Sequence, residues 1–330
     1  MFALVTGGSG FLGRYIVEQL VVRGDRVRSF SRRNSADLDQ LGVETVQGDL
    51  RDKRATDLAC AGVDTVFHVA GVAGIWGTWN HYFGINTQGT QHLVASAQRA
   101  GVRRFIYTSS PSVTFDGSDQ IDVDETAPYP AHWLCHYPHS KALAEQYVLC
   151  ANGRNGMLTC ALRPHLIWGR RDGHLVPRLM DRARRGRLRR IGDGTNLIDT
   201  IYVENAATAH WQACDAMVPG AAVCGRAYFL SQGEPVGCWQ WIDDLLTLAG
   251  LPPVSKSISR QSAWRLGQLM EATYGLLRLP GEPPMTRFLV AQLSSSHYFN
   301  ISAARRDFGY QAVISNVEGM RRLAESLDEA

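Results

Sequence analysis

Two side chains in the segment HYPHSK have a spacing that chemistry can use: Tyr137 and Lys141, four residues apart. Positions i and i+4 share one face of a helix, so a phenol and an ammonium placed there reach into the same cleft. Pro138 permits that helix, because proline is tolerated in a first turn. A carbonyl that accepts hydride develops negative charge on oxygen, and the charge must be stabilised or protonated. A tyrosine, with an ordinary pKa of about 10, is a reluctant base but a usable proton donor. A neighbouring ammonium favours the phenolate and brings that pKa toward working pH. A hydroxyl to hold the carbonyl oxygen is available in YTSSPSV, residues 107–113.

Such a pair needs elements that present it to a hydride donor. Phe2 to Thr6, FALVT, is a short apolar run of the kind found in fully buried parallel strands. It enters GGSGFLG and then RYIVEQLVVRG, whose apolar residues follow helical spacing to Gly24. A second strand begins at Val27. Glycines at 7, 10 and 13 allow a tight turn, a close backbone approach to a pyrophosphate and close packing of helix on strand. A helix N-terminus there favours an anion. The second strand ends Ser31-Arg32-Arg33, with no acidic residue to meet a ribose 2′-hydroxyl. A serine and two arginines suit a 2′-phosphate instead, so NADP(H) is expected over NAD(H).

Alternation continues with strands expected at Val43–Val46, Thr65–Val69, Arg104–Thr108 and Thr159–Leu162, and helices from about Tyr82 and about Tyr137. The pattern implies a doubly wound parallel α/β sheet of Rossmann type, with its ligand at the strands' carboxyl ends. After Gly169 helices and loops predominate, pointing to a smaller, mostly helical substrate lobe. Residues 1–169 and about 197–232 are assigned to the dinucleotide-binding domain, and about 170–196 with 233–330 to the lobe.

The chain of 330 residues is 45% hydrophobic and 20% charged, as in soluble globular proteins, and its net charge of +3 is too small to imply nucleic acid. No apolar run spans a bilayer and no signal peptide opens the sequence, so a cytoplasmic location is expected. Seven cysteines form no CxxC pair, which favours reduced thiols. No metal is expected: His132 and His136 are spaced i,i+4 but lack a third ligand set, and they are read, with His139, as local polar groups. The arginine-rich stretch 181–190 reads as a solvated helix end, with a cationic rim as the sharper alternative.

These segments together resemble the extended short-chain dehydrogenases/reductases, in the group of 3β-hydroxysteroid dehydrogenases and NAD(P)-dependent epimerases. The matching pieces include TGGSGFLG, GDL at 48–50, FHVAG at 67–71, YTSSPSV, YPHSK and LRPHLIWG at 162–169. The resemblance implies that Gly7, Gly10, Phe11, Leu12 and Gly13 hold the pyrophosphate. It places Asp49 and Leu50 at adenine, Ala70 and Gly71 along the cofactor groove, and Pro164 by the nicotinamide amide. Tyr137 would be the acid/base, Lys141 would orient the ribose and tune Tyr137, and Ser110 would polarise the carbonyl, with Ser112 as a second candidate hydroxyl because Pro111 alters which serine points inward. Within the group the chain is similar to bacterial 2-alkyl-3-oxoalkanoate reductases of olefin biosynthesis, through GIWGTWNHYFGINTQGT at 74–90 and GEPPMTRFLVAQL at 281–293. That likeness implies NADPH-dependent reduction of a long-chain 3-keto acid. Oxidation of a 3β-hydroxysteroid, nucleotide-sugar epimerisation and a non-catalytic NADP-binding scaffold are the competing readings.

For a lipid-like substrate, Trp76, Ser112, His165 and His174 are candidate contacts. The run Ala263–Leu279 has near-helical apolar spacing; a plain core helix is its leading reading, beside a cover for an acyl chain or a peripheral membrane contact. A homodimer is expected.

Overall fold

The computed structural model describes residues 1–33 and 36–328. Its main sheet has strands β1 (Phe2–Thr6), β2 (Arg26–Ser31), β3 (Glu44–Gln47), β4 (Thr65–His68), β5 (Arg104–Thr108), β6 (Leu158–Pro164) and β7 (Ala227–Leu230). They lie in the order β7-β6-β5-β4-β1-β2-β3, every neighbouring pair parallel. Strand order reverses between β1 and β4, and a crevice opens there at the carboxyl ends. The Rossmann architecture expected from the alternation is therefore present.

Both faces of the sheet are covered, which explains the uninterrupted apolar strands. Ala3 and Val5 point into one core and Leu4 into the other, all at 0% exposure. Helix α1 (Phe11–Val22) covers the first face. Helices α2 (Lys53–Cys60), α3 (79–99) and α4 (His136–Cys150) cover the second. Helix α3 starts earlier than the sequence suggested, at Trp79–Tyr82, passes through a π-helical turn at Phe83–Gln88 and continues as Gly89–Arg99. Thr78 sets that start by accepting a bond from the His81 backbone N–H. Beyond β6 come α5 (Leu175–Arg184) and α6 (Val203–Ala216), the latter packed on α1.

The remaining chain includes α7 (Cys238–Leu248) and α8 (Arg260–Leu277). A small sheet accompanies them: Val236–Gly237, Leu197–Ile198, His297–Phe299 and Gln120–Val123 lie side by side. Gln120–Val123 thus leaves the main sheet's neighbourhood to pair with a strand near the C-terminus. The core on the α1 face runs without a break from Val5 and Ile16 through Trp168 to Trp239 and Trp241 of α7.

Candidate active site

Every element that carries a motif brings it to the carboxyl end of the sheet. There a groove of about 790 Å³ runs over the crevice, with Gly7 and Gly10 at its base. Ser31, Arg32 and Arg33 line it beyond β2, Asp49 and Leu50 beyond β3, and Ala70 and Gly71 beyond β4. The glycines leave no room for anything larger. A Cβ on Gly13 would lie 2.1 Å from the Gly7 carbonyl oxygen, and one on Gly8 would lie 2.5 Å from Ser29 Oγ. Gly10 caps α1 without a side-chain bond, so the helix's first N–H groups face the groove. Leu12 belongs to the hydrophobic core, and Phe11 rests edge-on against Tyr15 at 6.1 Å, so neither side chain enters this groove. The cradle and its volume fit a dinucleotide.

Lys141 forms part of the floor. Its Nζ lies 3.9 Å from where a Cβ of Gly71 would be, donates to the Thr108 carbonyl at 2.6 Å and sits 4.2 Å above the Tyr107 ring. Burial brings its pKa down to about 7. Tyr137, one turn earlier on α4, keeps some accessible surface at the edge of the cleft. Burial raises its pKa, and a hydrogen bond with Ser110 pulls it back in part. Burial therefore favours the neutral phenol. The Lys141 ammonium is engaged here by the Thr108 carbonyl and the Tyr107 face. Ser110 and Ser112 do not compete for one place: their hydroxyls lie 2.8 Å apart, and Ser110 caps the 3₁₀ turn Pro111–Thr114.

Two residues outside the sequence reading hold this corner together. Asn86, in the π-helical turn, accepts from the Val72 N–H at 2.8 Å and donates to the Val72 carbonyl and to Ser140 Oγ, each at 3.0 Å. Ser140 Oγ donates in turn to the Tyr137 carbonyl. The extra residue of the π turn aims Asn86 inward. Only the apolar spacing broken at GINTQGT hinted at it.

The opposite wall is aromatic. The Tyr82 ring lies edge-on to Tyr137 at 6.3 Å, and its hydroxyl donates to the Trp76 carbonyl. Trp76 meets Tyr274 of α8 edge-on at 6.4 Å. The Ile75 N–H donates to Glu282, which also pairs with Arg178 of α5. Two candidate contacts lie elsewhere. His165 is buried and its Nε2 is 2.6 Å from His297 Nδ1, so burial in the lobe removes it from the cleft. His174 lines the cofactor groove. Pro164 is buried at the end of β6, paired with Leu230. His139 is stacked on Trp133 at 5.3 Å and lies tilted against Trp79 at 4.6 Å, with exposed His136 edge-on to the same Trp79. Among the described residues no cluster of His, Cys, Asp or Glu could hold a metal, all seven cysteines are unpaired, and no helix is long and apolar enough to cross a membrane. Arg184, Arg185, Arg187 and Arg189 are exposed around Gly186, as a solvated helix end requires.

Known proteins resemble this chain over almost its whole length. Over 99% of both chains the sequence is 47% identical to a 2-alkyl-3-oxoalkanoate reductase of Stenotrophomonas maltophilia. It is 35% identical to a 3-beta-hydroxysteroid dehydrogenase of Mycolicibacterium neoaurum, over 96% of this chain and 88% of that one. A short-chain dehydrogenase/reductase superfamily protein from Agrobacterium tumefaciens, solved with bound NAD, superposes with a TM-score of 0.77 at 21% identity, covering 100% and 98% of the two chains. The model of the 3-beta hydroxysteroid dehydrogenase/isomerase family matches residues 4–259. The chain therefore belongs to the 3-beta hydroxysteroid dehydrogenase/isomerase family and is an oxidoreductase.

Proposed function

We propose that the protein reduces the 3-keto group of a long-chain 2-alkyl-3-oxoalkanoic acid to the hydroxyl with NADPH, a step of olefin biosynthesis. The observation that carries the reading is the full-length likeness to a reductase of that name, in a chain that keeps Ser110, Tyr137 and Lys141 together under the groove. NADPH supplies the hydride when bound. Gly7, Gly10 and Gly13 would cradle its pyrophosphate, and Ser31, Arg32 and Arg33 would meet a 2′-phosphate. No carboxylate stands at the end of β2 to repel that phosphate.

The chain's own groups do the rest. Ser110, with Ser112 behind it, orients the carbonyl oxygen. Tyr137 gives its proton to that oxygen as charge develops, which suits a phenol kept protonated by burial. Lys141 holds the ribose side of the groove and offers positive charge to the phenolate left behind. Trp76, Tyr82 and Tyr274 give the cleft an apolar wall fitting a hydrocarbon chain. Leu269, Leu276 and Leu277 stand 64%, 84% and 62% exposed on α8 between Arg265 and Arg278, which favours peripheral contact with an anionic bilayer.

The test is NADPH and NADH oxidation followed by absorbance with long-chain 2-alkyl-3-oxoacids and UDP-sugars carrying a keto group, and the reverse reaction with 3β-hydroxysteroids. Turnover of the oxoacids with NADPH is expected. Turnover of steroids alone would establish the second reading, which the 35% identical relative favours. Binding of NADPH without any turnover would point to a scaffold.

A further inference from the structure

Three side chains of α4 share one face at successive i+4 steps: Tyr137, Lys141 and Glu145. The first two belong to the reaction, whereas Glu145 has no part in it so far. It is nonetheless wholly buried, at 0% exposure, next to a lysine at 5%. Both carboxylate oxygens are held. Arg163 on β6 donates from Nη2 to Oε1 at 2.6 Å and from Nε to Oε2 at 3.0 Å, and the Tyr129 hydroxyl donates to Oε1 at 2.7 Å. The Arg163 guanidinium in turn lies over Phe229 at 4.9 Å. A buried charge that is paired and fully hydrogen-bonded survives desolvation, and such clamping is costly to build for packing alone.

The groups around Lys141 show what the clamp achieves. On its own helix it has Tyr137 and Glu145. From β5 come the Thr108 carbonyl and the Tyr107 ring, a phenol whose pKa burial raises. From β4 comes His68, bonded to Thr6 and Thr90 and held neutral by burial, with its pKa at about 3. Asn86 and Gly71 lie above it. Among these neighbours Glu145 alone brings an opposite charge. Burial favours the neutral amine, and the Glu145 carboxylate works against it.

We propose that Glu145 is a positioning residue for the reduction: clamped by Arg163 and Tyr129, its carboxylate keeps Lys141 protonated in a dry site, so that Lys141 can serve Tyr137 and the cofactor. The proposal rests on the Tyr137–Lys141 reading and not on the identity of the substrate.

The chain offers a direct test, because it has only three lysines, at 53, 141 and 256. Labelling with ¹³Cε-lysine gives three NMR signals, and the one lost in Lys141→Met is assigned. In Glu145→Gln the Lys141 titration should move down by about one pH unit, a tenfold change in its protonation equilibrium. A titration unchanged by the substitution would overturn the proposal. Glu145→Gln also strands the Arg163 charge, so Glu145→Gln/Arg163→Met removes both charges and should move the titration in the same direction. The pH profile of NADPH oxidation supplies the second readout. Its alkaline limb should shift down by about one unit, with rates at low pH near wild type and partial rescue in Glu145→Asp. An equal loss at every pH would make Glu145 merely structural. Should the wild type turn over none of the candidate carbonyls, the substrate reading fails while the NMR titration still decides the role of Glu145.

Discussion

The glycine-lined groove and the proposed substrate cleft beside Tyr137 are built in opposite ways. The groove is a backbone surface: Gly7, Gly10 and the ends of neighbouring parallel strands line it, and the turn beneath it has no room for a Cβ on Gly13, which would strike the Gly7 carbonyl. The cleft is a side-chain surface. Trp76, Tyr82, Tyr137 and Tyr274 reach it from four separate segments, joined by edge-on ring contacts and one hydrogen bond. A backbone surface recognises what all members of a ligand class share, such as a pyrophosphate. A side-chain surface can be altered residue by residue without disturbing the sheet, so a family can keep one cofactor while its substrates diverge.

The contrast predicts where substitutions separate binding from chemistry. Tyr137→Phe should lower kcat about 1,000-fold and leave NADPH affinity nearly unchanged, as measured by single-turnover rates and fluorescence titration. Gly13→Val should act on the groove alone, weakening NADPH about 100-fold because the Gly7 carbonyl has nowhere to go. Loss of the carbonyl substrate's affinity in that variant would break the distinction. Arg32→Ala/Arg33→Ala should raise the KM for NADPH about 10- to 100-fold and leave that for NADH in place, in keeping with lost charge-assisted bonds. Trp76→Ala should show the reverse, with a KM for the oxoacid raised about tenfold and no change for either cofactor.

A smaller effect concerns the lobe behind the cleft. Burial holds the pKa of His165 well below the ordinary histidine range and lowers that of His297. The folded protein keeps both rings neutral, while the unfolded chain takes up their protons below about pH 6.5. Stability is therefore full above that pH and falls as the pH drops toward 5. Thermal melts should show a lower Tm at pH 5 than at pH 7, and His165→Phe should narrow that gap.

The same contrast decides what the sequence could reveal. Gly7, Gly10, Gly13 and the Tyr137–Lys141 spacing are local patterns, and local geometry carries them directly into the fold. Asn86 was missed because its role depends on a π-helical turn, which leaves no strong signature in composition. Gln120–Val123 escaped notice because its strand exists only by pairing with His297–Phe299, far along the chain. His165 looked like a cleft residue from its place after a strand, but a partner 132 residues away turns it inward. Lys141 was expected to act on Tyr137 directly; how Thr108, Tyr107 and Glu145 surround its charge depends on β5 and α4 coming together.

The unbroken core on the α1 face has a mechanical consequence. Val5, Trp168, Trp239 and Trp241 weld the lobe containing α7 to the main sheet. Two bodies joined through close-packed indoles do not swing on a hinge, since each degree of rotation would open voids along the whole seam. A bulky chain must instead enter by displacement of the short loops at the rim. The Ile75–Glu282–Arg178 link ties two of these loops to α5, with an N–H bond at 3.3 Å and an ion pair as its fastenings. Glu282→Gln would loosen that link and leave the core joining the two bodies in place.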